Sequence, residues 1–168
     1  MSHRSWETAV HCLEAKIAPA TAAQLRVAEA IGLPLAGSEP QMVAAAMLED
    51  YLKPLIRGVP PQEATDRQVD FLAELGYAGI VEGVSANLAS SWIDYHLTLL
   101  NITALSQMKF QRGDSVAMIR DCVDVSTGEI LPDTRVWVIS SIDRRGRVHF
   151  KGGGGRGAWP SQLYRMDD

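Results

Sequence analysis

The chain has 168 residues, 46% of them hydrophobic and 21% charged, with a formal net charge of −4. Those proportions exclude wholesale disorder and fibrous classes, and no apolar stretch approaches the ~20 residues a membrane helix needs. The segment Met1-Ser2-His3-Arg4-Ser5-Trp6-Glu7 puts an acid where a secretory leader would run apolar, so a cytoplasmic setting is expected. The charge is uneven. Residues 1–107 hold six Lys/Arg against twelve Asp/Glu, a balance of −6, while residues 108–168 hold ten against eight, a balance of +2. Ala, Leu and Glu give way to Val, Gly and Arg at the same point, which predicts a helical domain over 1–107 and a β domain over 108–168.

Trp6, Ala9, Val10, Leu13 and Ile17 recur at helical spacing and predict an amphipathic helix packed on the segment that follows. That segment repeats itself. At an offset of 44, residues 20–56 and 64–100 share eight identities in 37 positions: Ala20/64, Thr21/65, Gln24/68, Gly32/76, Ala45/89, Asp50/94, Tyr51/95 and Leu55/99. Chance would give roughly two or three. Thr-x-x-Gln is a capping box, in which the hydroxyl accepts from the N3 amide and the Gln side chain returns to the cap amide. Leu25, Ala28 and Ile31 are matched by Val69, Leu72 and Leu75, and Gly32 and Gly76 stand where a helix ends in left-handed geometry.

A longer helix is expected in each copy. Ser38-Glu39-Pro40-Gln41 and Ser85 supply the caps, and Ala44, Leu48, Tyr51, Leu55 are answered by Leu88, Trp92, Tyr95, Leu99. Equivalence in the repeat makes Tyr51 and Tyr95 core residues and Asp50 and Asp94 solvated or capping ones. Pro54 is expected to end or kink the first long helix before the linker Gly58-Val59-Pro60-Pro61, whereas the second runs on to about Leu105. The pattern resembles small helical-hairpin modules of phage and mobile-element proteins. It is also similar to the SAP-like helix–extended-loop–helix modules that bind DNA, although their helices are basic and these are acidic.

The last sixty residues carry strand signals. Gly113-Asp114-Ser115-Val116-Ala117-Met118-Ile119 is a turn entering a strand. Ser126-Thr127-Gly128-Glu129 and Leu131-Pro132-Asp133-Thr134 are turn clusters. Arg135 to Ile142 is the strongest strand, with Val136, Val138 and Ile142 on one face and Trp137 and Ile139 on the other. Asp143-Arg144-Arg145-Gly146 is a hairpin turn. The strand after it alternates, Val148 and Phe150 inward and Arg147, His149 and Lys151 outward.

The opening Gly113-Asp114-x-Val116 and the closing Ala158-Trp159-Pro160-Ser161-Gln162-Leu163-Tyr164 resemble SH3-like barrels over about residues 112–166. The resemblance implies a short helical turn before a final strand. There is no Ala-Leu-Tyr-Asp-Tyr segment or acidic loop, so no peptide groove is implied. The fold class expected is thus α+β, about five helices in a tandem repeat followed by a small SH3-like β-barrel.

Arg144, Arg145, Arg147, Lys151, Arg156 and Arg165 face one acid between Asp143 and Arg165, with a glycine run over 152–155 between them. Together with His149 and Trp159 they form the candidate patch, able to neutralise phosphates and to stack on bases. Trp159 is also a candidate core residue closing the barrel. No catalytic motif accompanies it. Gly152, Gly154 and Gly157 satisfy GxGxxG by spacing, yet neither a helix nor a ribose-binding acid follows. Asp114, Asp121 and Asp124 sit at turn and edge positions. His3, His11, His96 and His149 are scattered, and Cys12 and Cys122 lie 110 positions apart, so neither metal nor cofactor is expected.

Two functions from different classes are expected of such a chain. One is a non-enzymatic nucleic-acid-associated protein of a phage or mobile element, DNA-binding through the basic hairpin, with the helical repeats docking a partner or forming a homodimer. The other is a protein–protein adaptor or inhibitor, for instance a phage antagonist of a host defence nucleoprotein complex (anti-CRISPR-like), acting through its acidic helical face on a host protein.

Overall fold

The computed structural model describes residues 6–77, 79, 83–119, 121–123, 130–132 and 135–166. The turn cluster at 126–129 and Asp124 lie outside them. Among the described residues five helices come first: α1 (Trp6–Lys16), α2 (Ala22–Ile31), α3 (Gln41–Arg57), α4 (Asp66–Glu74) and α5 (Ala86–Met108). Strands follow: β1 (Ser115–Met118), β2 (Asp121–Val123), β3 (Ile130–Pro132), β4 (Val136–Ile142), β5 (Val148–Phe150), β6 (Gly157–Ala158) and β7 (Leu163–Arg165). The class is α+β. No helix among the described residues is long and apolar enough to cross a membrane.

The chain divides into two compact units, Lys16–Leu99 and the pair of segments Met1–Ala15 and Leu100–Asp168. This partition differs from the compositional boundary at 107/108, because α1 and the last turns of α5 group with the strands.

Within Lys16–Leu99 the repeat is built twice from the same bonds. Thr21 Oγ1 accepts from Gln24 N at 3.2 Å while Gln24 Oε1 accepts from Thr21 N at 2.8 Å; Thr65 and Gln68 do the same at 3.3 and 3.0 Å. Each glutamine then donates through Nε2 to the first turn of the next helix, to Gln41 O at 2.8 Å or Ala86 O at 3.1 Å. Gly32 and Gly76 adopt φ of 73° and 78°, and the residue after each donates back, Leu33 to Ala28 O and Tyr77 to Leu72 O. That is the Schellman ending that the glycines require. Isolated bridges Pro19–Pro40 and Glu63–Ser85 close the two hairpins.

The register of the repeat changes midway. The α2 and α4 caps are 44 residues apart, but α3 starts at Gln41 and α5 at Ala86, which is 45. Gln41 N donates to Ala18 O and Ala86 N to Gln62 O, so the second loop carries one extra residue. Ala44, not Ala45, is the structural match of Ala89: both are fully buried, while Ala45 is exposed. The ungapped pairings Asp50/94, Tyr51/95 and Leu55/99 are therefore corrected, since one residue rotates a helix face by about 100°. The consequence is visible. Asp50 accepts from Ser85 Oγ and Asn87 Nδ2, whereas Asp94 pairs with Lys16 Nζ at 2.8 Å. Tyr51 is 40% exposed and Leu55 71%, so the expected stripe is core only as far as Leu48. Tyr95 packs instead in a cluster with Trp92 and His96, beside which Tyr77 also lies.

Two caps also differ from expectation. Pro54 does not end α3, which continues one turn to Arg57 and the left-handed Gly58. Ser38 caps nothing, because Pro40 stands at the α3 N-cap and Glu39 instead accepts from the Ala36 and Gly37 amides. Ser85 does cap α5, accepting from Leu88 N at 3.0 Å.

In the other unit, β6-β5-β4-β1-β7 form an antiparallel five-stranded sheet, and β2 pairs with β3 separately. Its core is Val116, Ile139, Ile142, Val148, Phe150, Ala158 and Leu163, joined by Phe110, by Leu105 of α5 and by Ala9 and Leu13 of α1. The apolar stripe of α1, expected to pack on the first repeat, contributes Ala9 and Leu13 to the core beneath the sheet. On β4 the alternation breaks. Val136 and Val138 are exposed while Trp137, Ile139 and Ile142 share the core side, because a bulge between Ile139 and Ser141 shifts the phase by one residue. The short helical turn expected before the last strand forms at Pro160–Gln162. Ser161 donates to the buried Asn101 Oδ1 of α5 through both N (3.2 Å) and Oγ (2.9 Å), which fixes that turn.

Candidate nucleic-acid interface

The β4–β5 hairpin is organised by Asp143. Its Oδ1 accepts from the backbone N–H of Arg145 at 2.8 Å and of Arg147 at 3.0 Å, and its Oδ2 accepts from His149 Nε2 at 3.2 Å. Burial pushes the Asp143 carboxyl up, but the His149 bond, the two amide bonds and the His149 charge outweigh it and hold the group below its ordinary value. With Asp143 so engaged, the turn directs Arg144 and Arg145 into solvent. Gly146 closes the turn at φ 81°, its N–H on Asp143 O. It also lies against the core, where an added Cβ would stand 2.8 Å from Leu13 Cδ1.

The strand that follows behaves as its alternation predicts. Val148 and Phe150 are buried, Arg147 and Lys151 are exposed, and His149 is half-buried. Arg147 Nη2 donates to Gly157 O across the β5–β6 ladder at 3.2 Å. The glycine run is a hydrogen-bonded turn. Phe150 N donates to Arg156 O at 3.2 Å and Arg156 N to Gly153 O at 2.9 Å, which closes the turn and brings the Arg156 backbone against the end of β5. Arg144, Arg145, Lys151 and Arg156 form no ion pair with a described residue.

Two of the expected site residues fall differently. Arg165 lies on the opposite edge strand, paired with the Asp114 carboxylate and donating to Lys109 O at 3.4 Å, so its charge is compensated. Trp159 is 39% exposed and does not close the core; Ala158 and Pro160 on either side are the buried residues. Asp143 stands in the expected turn but outside the expected patch, and its position two and four residues before the amides it binds is the signal of a side-chain-closed turn.

On the helical unit, a cleft of about 600 Å³ opens beside Asp50, with Glu63, Ser85 and Leu88 among its walls. Among the described residues no cluster of His, Cys, Asp or Glu has the arrangement of a metal site. No protein-family model, curated protein or solved structure matches this chain.

Proposed function

We propose that this chain is a non-enzymatic nucleic-acid-binding protein that contacts phosphates through the β4–β5 hairpin and the adjoining glycine turn. The observation that carries it is that Arg144, Arg145, Lys151 and Arg156 are exposed and hold no ion pair with a described residue, while Asp143 is engaged by the turn itself. An uncompensated cluster of this kind attracts a polyanion by releasing its counterions. Fluorescence anisotropy of a labelled oligonucleotide at rising salt tests this. Affinity should fall steeply with salt, and Arg144→Ala/Arg145→Ala/Lys151→Ala should weaken binding at least about tenfold and reduce the salt slope by roughly two to three. Binding that ignores both salt and the triple variant overturns it.

A second proposal rests on a separate observation. The end of α3 exposes Tyr51, Leu55 (71%) and Ile56 (74%), with Val59 exposed just beyond it, in a unit with five Lys/Arg against ten Asp/Glu over residues 16–99. An exposed apolar strip in acidic surroundings suits a protein partner with a basic rim, as an adaptor or an inhibitor of a nucleoprotein complex would meet. It predicts a stoichiometric protein complex that survives nuclease treatment and is lost in Leu55→Asp/Ile56→Asp.

A further inference from the structure

We propose that the nucleic acid bound by the hairpin is single-stranded, with Trp159 as the base-stacking residue; this rests on the nucleic-acid proposal above and goes further by naming the form of the ligand.

The placement of Trp159 follows from the ladder. β5 and β6 pair Val148 with Ala158 and His149 with Gly157. Val148 and Ala158 point into the core, so His149 and Gly157 belong to the solvent face. Trp159 continues in extended backbone, φ −79° and ψ 145°, and the alternation returns it to that same face, in the row of Arg147. The 39% exposure of its side chain agrees.

Three features make this an open stacking surface. First, Trp159 has no ring contact with any described residue, unlike Trp92, packed on Tyr77 and Tyr95, and Trp137, stacked on Phe150 at 5.0 Å. Second, β6 is an edge strand of two residues, and among the described residues no further strand pairs with it from outside. Third, Gly157 itself adds no side chain to the indole row. The Arg147 guanidinium crosses there to the Gly157 carbonyl, and an added Cβ would stand 3.3 Å from its Nε.

Charge alone does not choose between duplex and single strand, because Arg144, Arg145 and Lys151 serve any phosphate backbone. The indole does choose. In a duplex the base faces are covered by their neighbours, whereas an unpaired base has a face free to meet an exposed ring. A tryptophan at the margin of a basic edge therefore gains contact only with the unpaired form.

The test compares a fluorescein-labelled fifteen-nucleotide oligo-dT with a duplex of similar length, using the full chain. The expected result is tighter binding of oligo-dT, weakened roughly 5- to 150-fold by Trp159→Ala, retained in Trp159→Phe, with duplex affinity unchanged by either. Quenching of tryptophan emission by oligo-dT should be smaller in Trp159→Phe than in the parent, and circular dichroism of both variants should match the parent. If Trp159→Ala binds oligo-dT as the parent does while Arg144→Ala/Arg145→Ala/Lys151→Ala binds neither probe, the stacking inference is overturned and the nucleic-acid proposal stands. If the parent binds neither probe, both fall.

Discussion

His149 Nε2 stands 3.2 Å from Asp143 Oδ2, six residues back across the β4–β5 turn, and so links the outer strand face to the carboxylate that shapes the hairpin. The same carboxylate holds the amides of Arg145 and Arg147. The orientation of the basic hairpin thus depends on one acid. Removing it adds net positive charge to the patch while loosening the geometry that presents it.

That arrangement sets a pH dependence. The folded Asp143 carboxyl is held below its ordinary value of 3.8, so its contribution to stability is complete above about pH 4. It is lost as pH falls through the lower, folded value. Asp143→Asn should be less stable than the parent by about 1–2 kcal/mol near neutrality, and the gap should close as pH falls through the folded carboxyl's lowered value. Urea denaturation across that range measures it; a gap independent of pH would show that the bonds to Asp143 do not need its charge.

Gly146→Ala should be among the more damaging single-methyl changes in the chain. It asks an L-residue to adopt φ 81° and drives a methyl to 2.8 Å from Leu13 Cδ1. The two effects together should destabilise by about 2–4 kcal/mol, read as a shift of the denaturation midpoint.

The one-residue insertion in the repeat is tested by a pair of alanines. Ala89→Leu overfills a fully buried position and should lose about 1–3 kcal/mol, whereas Ala45→Leu lies in solvent and should stay within about 0.5 kcal/mol of the parent. Equal effects at both sites would restore the ungapped register.

The two capping boxes should be energetically similar. Thr21→Ala and Thr65→Ala should each destabilise by about 1 kcal/mol. Gln24→Ala and Gln68→Ala should lose more, because each glutamine also bonds the following helix, at Gln41 O or Ala86 O. Thermal unfolding of the four variants ranks them, and a glutamine loss smaller than the threonine loss would remove the bridging role.

The features legible along the chain are those that residues close together in it decide. The Thr-x-x-Gln boxes, the glycine helix ends, the Asp143–Gly146 turn and the alternation of Val148 to Lys151 each depend on residues within a few positions of one another, and each stands where the pattern put it. By the same alternation Arg147 and Lys151 stand exposed on either side of the buried Val148 and Phe150. Tertiary structure decided the rest. The bulge after Ile139 moves Ile142 to the side of Trp137, and the longer second loop turns Asp94 away from the role of Asp50. The stripe of α1 is apolar whichever core receives it, and only packing assigns Ala9 and Leu13 to the sheet. Arg165 looked as free as its neighbours until Asp114, 51 residues earlier, was brought beside it. Burial and compensation of charge are sums over atoms remote in sequence, so a one-dimensional pattern proposes a face or a charge, and the packed structure decides what that face or charge meets.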